Sequence, residues 1–252
     1  MTASPAMLDA LRHAIARIER GPVTPRAASL PFGIAPIDDA LPGGGLATAA
    51  LHEIAGTGID AEFAAAPALF AAGILARHPG PVLWVLERQD LFAPALAAAG
   101  LQPDRVIYAE ARRNAVLPTM EEGLQQQGLI GVVAELSTPL TLTASRRLHL
   151  AAQAGGSIAL LIHRRAAPEG ALAAVTRWRI APAPSAPPIP QAPDTPGLGP
   201  QRWRLDLVRC RGGQTGSWLV EACDASGRLA LVSVLADRPA AAPPERRAGH
   251  AA

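Results

Sequence analysis

Every one of the 23 positively charged side chains in this 252-residue chain is an arginine. With no lysine present, chemistry that depends on a side-chain amine is excluded, whether a Schiff base or a point charge on a phosphate. His13, His52, His78, His149, His163 and His250 are scattered without metal-ligand spacing, so neither a zinc site nor a general base is indicated. Two cysteines, Cys210 and Cys223, make no disulfide framework and read as packing thiols in a reducing, cytoplasmic setting. The groups left to do chemistry are glycine turns, carboxylates at the ends of apolar segments and arginines on alternating positions. What each can do depends on the element that carries it.

A length of 252 residues suits one main domain with a small appended element. Nearly half of the residues are apolar, but Pro, Gly or charge interrupts every run well short of the roughly 20 residues that span a bilayer. A net charge of +2 is too small to imply nucleic-acid binding by itself. Apolar runs at 51–55, 82–86, 106–108, 130–134 and 157–162 alternate with Ala-rich stretches near 62–78, 91–100, 115–128 and 141–154. This rhythm predicts a parallel sheet with crossover helices, and 172–180 offers a further strand. Leu8, Leu11, Ile15 and Ile18 predict an amphipathic helix at 5–20 within an N-terminal unit 1–22, which either serves partner binding or self-association or packs on its own core. Eight prolines mark 181–200 as a linker or surface loop. Segments 202–210, 217–223 and 228–234 predict a three-stranded antiparallel meander within 201–235, and the composition of 236–252 predicts a disordered tail.

Within the core, 28–180, the segment Phe32-Gly33-Ile34, Ile37-Asp38 and Leu41-Pro42-Gly43-Gly44-Gly45-Leu46 leads straight into the strand 51–55 and Gly56. This layout resembles the RecA family, in which the strand-to-helix turn carries a phosphate-binding loop. Laid on Gly56, Thr57 and Gly58, the spacing G-x-x-x-x-G-K-[ST] puts Ala61 at the second glycine, Glu62 at the lysine and Phe63 at the hydroxyl that holds magnesium. Glu62, with Asp60 beside it, sets negative charge where phosphate oxygens would lie, although both acids suit a helix N-terminus. The resemblance also implies a magnesium-ligating aspartate after the fourth strand, where Glu135 stands, and a catalytic glutamate near the Glu87-Arg88 pair. These residues read either as a residual nucleotide site or as solvated charges at strand ends.

The late block Trp203-Arg204-Leu205-Asp206-Leu207-Val208-Arg209-Cys210-Arg211-Gly212-Gly213, followed by Gly216-Ser217-Trp218, makes the chain similar to the ImuA family over most of 28–235. The resemblance implies a RecA-like α/β core with a mainly parallel twisted sheet flanked by helices, plus a C-terminal antiparallel meander. It implies no cofactor and no catalysis. The expected role is an accessory one in SOS mutagenesis and translesion synthesis, with an ImuB-type polymerase-like protein, an error-prone DNA polymerase III α-type subunit and RecA as partners. Arg164, Arg165, Arg177, Arg179, Arg202, Arg204, Arg209 and Arg211, interleaved with Trp203 and Trp218, are the candidate contacts to nucleic acid or a partner. The other reading of the same spacing is an ordinary strand with a solvated charged face.

Overall fold

The computed structural model describes residues 28–58, 64–164, 170, 173–189, 191–192 and 194–235. The expected helix at 5–20 and the tail after 236 lie outside the described residues. The chain enters through strand β1 (Ser29–Leu30), helix α1 (Ala35–Asp38) and strand β2 (Leu46–Ala47). Asp38 organises this entry, because its carboxylate accepts the backbone N–H groups of Phe32 (2.7 Å), Gly33 (2.9 Å) and Ile34 (3.2 Å). The glycine triplet is explained by two demands. Gly43 and Gly44 adopt φ of +85° and +75°, and a Cβ on Gly45 would lie 2.7 Å from the Leu30 carbonyl, where β1 passes.

The parallel core follows as β3 (Leu51–Gly56), α2 (Ala65–Ala76), β4 (Val82–Leu86), α3 (Ala93–Ala98), β5 (Val106–Glu110), α4 (Val116–Gln125), β6 (Gly131–Leu136), α5 (Leu142–Gly155) and β7 (Ile158–His163). Strands β6 and β7 are buried at every position, as a sheet covered on both faces requires, and this is why they read as continuous apolar runs. Helices α2 and α3 cover one face over Ile54, Trp84, Val133 and Leu160, while α4 and α5 cover the other over Val85, Val132, Ala159 and Leu161. Three of the four crossover helices fall inside the stretches expected for them, and α5 runs one residue past its own. Arg105, which no local pattern singles out, closes the C-terminal end of α2 by donating to the carbonyls of Leu75 (3.1 Å), Ala76 (3.2 Å), Gly80 (3.0 Å) and His78.

Four more strands complete the sheet: β8 (Thr176–Ala183), β9 (Arg202–Cys210), β10 (Gly216–Glu221) and β11 (Ala230–Leu235). The strand expected at 172–180 is shifted toward the C-terminus, because its ladder with β3 begins at His52 opposite Thr176 and its ladder with β9 continues to Ala183 opposite Arg202. The spatial order is β11-β10-β9-β8-β3-β7-β6-β4-β5. Strand β8 is parallel to β3 and antiparallel to β9, so the expected meander is continuous with the core sheet. Trp178, Trp203 and Trp218 are all buried, and Trp178 packs on Phe32, Phe70 and Trp218 at ring-centroid distances of 5.5, 5.5 and 6.3 Å. Removing β9 and β10 would therefore open the core. Between β8 and β9 the described residues of the proline-rich stretch form no helix and no further strand.

The junction of β3 and β8 is pinned by a buried neutral histidine. His52 Nε2 lies 2.8 Å from the Ala47 carbonyl, which can only accept, so this nitrogen carries the proton. The Thr176 hydroxyl then donates to Nδ1 at 2.7 Å while accepting the Trp178 indole N–H at 2.9 Å. Burial lowers the His52 pKa from 6.5 to about 4. Between those values the unfolded chain binds a proton that the folded chain refuses, so this contribution to stability is complete above pH 6.5 and is lost as the pH falls toward 4. Urea unfolding across that window should show a loss of about 3 kcal/mol from this group. A His52→Gln variant should show a shallower pH dependence, and an unchanged slope would remove His52 as the cause.

Candidate functional site at the strand C-termini

In an open parallel sheet the loops that can bind a ligand gather at the carboxyl ends of the strands. Here that edge brings together Gly56 of β3, the loop after β4, Glu135 of β6 and the residues that follow β7. Gly56 ends β3, Thr57 and Gly58 are exposed, and α2 begins at Ala65, so the expected strand and the helix that follows it are present. Asp60, Ala61, Glu62 and Phe63 lie outside the described residues.

Glu135 belongs to β6 itself and is buried. The Trp84 indole N–H donates to Oε1 at 2.9 Å and Arg164 Nη1 donates to Oε2 at 2.6 Å. Arg164 also grips Asp90 through both terminal nitrogens, at 2.8 and 2.7 Å, with Arg88 Nε 3.5 Å from the same carboxylate. Burial pushes the Glu135 carboxyl above its ordinary value, against the pull of Trp84 and Arg164. For Asp90, burial acts upward but Arg164 outweighs it, and the carboxyl is held below the ordinary range. Two arginines and two carboxylates thus neutralise one another at the strand ends. They form the polar wall of a cavity of about 660 Å³ whose apolar wall is Ala65, Ala68 and Leu69 of α2 with Leu91, Phe92 and Leu96 at α3. Of the Glu87-Arg88 pair, Arg88 lines this cavity, while Glu87 accepts from Arg113 Nε at 2.8 Å, and that bond holds its carboxyl below the usual range.

A second buried ionic group lies on the opposite face of the sheet. Arg177 Nε donates to Glu53 Oε2 at 2.8 Å, and His163 Nε2 stands 3.5 Å from the same oxygen. Burial raises the Glu53 carboxyl, but His163 and Arg177 overcome it and the net shift is downward. The remaining candidate arginines are dispersed over strands β8 and β9 and the turn after them. Arg204 pairs with Asp206 at 3.2 Å, Arg202 with Glu221 at 3.6 Å, and Arg211 donates to the Ala173 carbonyl at 2.8 Å. Arg179 is exposed, Arg209 is half-buried, and Arg165 lies outside the described residues. The tryptophans are different: Trp203 and Trp218 point into the core, because alternation along a strand sends successive side chains to opposite faces. The uncovered face of β8 and β9 is therefore basic without being aromatic.

Cys210 and Cys223 are both free, and burial pushes the Cys223 thiol up to about 12, consistent with packing thiols. Among the described residues no group of three or more His, Cys, Asp or Glu is placed to hold a metal ion, and no helix is long and apolar enough to cross a membrane. The residues that sequence reasoning missed at the site are Trp84, Asp90 and Arg113. Trp84 reads as an ordinary strand residue, while Asp90 and Arg113 sit in loops, 74 and 26 positions from Arg164 and Glu87, the partners they meet.

No family model matches the chain. It is 43% identical over 244 residues to Protein ImuA of Caulobacter vibrioides strain NA1000 / CB15N, in an alignment that covers 89% of this chain and 97% of that protein. Protein ImuA of Caulobacter vibrioides strain ATCC 19089 / CIP 103742 / CB 15 matches to the same extent. With that identity spread over nearly the full length of both proteins, the chain belongs to the ImuA family.

Proposed function

We propose that this chain is a non-catalytic, RecA-like accessory protein of SOS-induced mutagenesis and translesion DNA synthesis, which works by binding an ImuB-type polymerase-like protein. An error-prone DNA polymerase III α-type subunit and RecA are the further partners of that assembly. The observation that carries this reading is the state of Glu135, which we read as standing where the RecA family has its magnesium-ligating aspartate. Its two oxygens already accept from Trp84 and Arg164, and it lies buried behind them. A metal ion there would have to displace a guanidinium and strand both charges. The sequence supports the same conclusion at the other end of the site, with Ala61, Glu62 and Phe63 in place of the residues that hold phosphate and magnesium, and no lysine anywhere to substitute.

Calorimetric titration with magnesium and ATP should give no saturable binding, and Glu62→Lys should give no turnover, since Ala61 and Phe63 are unchanged. Micromolar, magnesium-dependent affinity would instead favour a nucleotide-dependent RecA-like ATPase. Co-expression with the ImuB-type protein should yield a complex that survives size-exclusion chromatography. Elution of the two proteins apart would sink the adaptor reading.

A second reading, a single-strand DNA-binding regulator of recombinase filaments, draws on the uncovered face of β8 and β9. Arg179 pairs there with no carboxylate among the described residues, close to the partly satisfied Arg204. On this reading, affinity for an oligonucleotide falls steeply with salt and the Arg179→Ala, Arg204→Ala double variant flattens that slope by about two contacts. A slope that the double variant leaves unchanged rejects it.

A further inference from the structure

Strands β8 and β9 are antiparallel neighbours whose ladder closes with Ala183 opposite Arg202. A turn of about two to five residues suffices to join such a pair, yet residues 184–201 intervene. Both ends of this segment stand side by side in one ladder, so it is no spacer between two bodies. It is an arm at the carboxyl edge of the parallel strands, because β8 runs parallel to β3 and the arm follows its end.

The described parts of the arm fold back on themselves. A Cβ on Gly199 would run into the Ala186 carbonyl, and one on Gly197 would lie 3.1 Å from the Pro188 ring, so the outgoing and returning limbs touch at two glycines. Nearer the tip, the Ala192 N–H donates to the Ile189 carbonyl and the Thr195 N–H to the Ala192 carbonyl, each at 3.0 Å, in two successive turns. On the outgoing limb Pro184, Pro187 and Pro188 fix their own φ and hold the residues before them extended. The arm is shaped before it meets anything.

What it presents is apolar and poor in donors. Leu198 is 92% exposed, the most of any large apolar side chain among the described residues, and Ile189 is 45% exposed. From 184 to 188 only Ser185 and Ala186 carry a backbone N–H, so a sheet edge could not take up this limb as a strand. In a chain with 23 arginines the arm has none, and its single charge is Asp194, so it offers nothing to a phosphate. Proline rings and carbonyls without neighbouring N–H groups are matched by flat aromatic side chains that also carry a donor, the indole of Trp and the phenol of Tyr.

We propose that this arm is a docking element, which seats Pro187, Ile189 and Leu198 in a groove of a protein partner lined by Trp and Tyr. All three are exposed. The inference rests on the adaptor reading and names the part of this chain that the polymerase-like partner grips. Because the limbs are already joined, binding orders little of the chain.

Isothermal titration calorimetry of the full chain with the ImuB-type protein tests it. Leu198→Asp and Ile189→Asp each weaken binding about tenfold or more, with the melting temperature unchanged. Gly199→Ala, which spreads the limbs without removing any outward side chain, weakens it about fivefold. In the methyl-labelled chain, the Leu198 and Ile189 signals move upfield when the partner is added, as methyl groups do over the face of an aromatic ring. If the unaltered chain does not bind, the adaptor reading falls and the arm with it. If it binds and the arm variants bind like their parent, the arm alone falls. Methyl signals that the partner leaves in place, or that respond instead to a single-stranded oligonucleotide, overturn the proposal as well.

Discussion

The guanidinium of Arg164 is the hinge of the strand-end site. It sits between two carboxylates that come from different strands and loops, Glu135 at 2.6 Å and Asp90 at 2.7 Å, and it is only 10% exposed. A carboxylate buried beneath a parallel sheet's carboxyl edge needs a counter-charge, and in a nucleotide-binding member of such a fold a metal ion supplies it. In this chain an arginine of the chain itself does so. The strand ends enclose a cavity of about 660 Å³, and the charges that line it are paired with one another.

The aromatic cluster carries the core from the parallel strands into the antiparallel ones. Phe32 from the entry turn, Phe70 of α2, Trp178 of β8 and Trp218 of β10 pack in one group, tying the parallel and antiparallel halves into a single sheet. Beneath it, His52 and Thr176 satisfy each other and the Trp178 indole, so β8 cannot slide against β3 without breaking buried hydrogen bonds. The uncovered arginine face of β8 and β9 is held by this frame.

Much of the architecture was legible because it rests on short-range regularity. Apolar runs of five or six residues separated by Ala-rich stretches specify parallel strands and crossover helices, and the observed elements fall on them. The glycine triplet announced a tight turn, and the structure gives each glycine a reason, positive φ at Gly43 and Gly44 and close approach at Gly45. Period-2 alternation in β8 and β9 was equally plain, but it does not say which face is inward. The tryptophans took the inside because burying a large ring outweighs any use it has in solvent, which left the outer face to arginine.

The sequence alone determined the order of the core strands and crossover helices, the absence of lysine chemistry and the family. Tertiary structure alone decided which charges meet. Arg164 and Asp90 are 74 positions apart, and Arg177 and Glu53 are 124 apart, yet each pair is in direct contact. Strand order in a parallel sheet is set by crossover paths over hundreds of atoms, not by local spacing, so residues read separately as a surface cation and a degenerate metal ligand became partners in one buried ion pair.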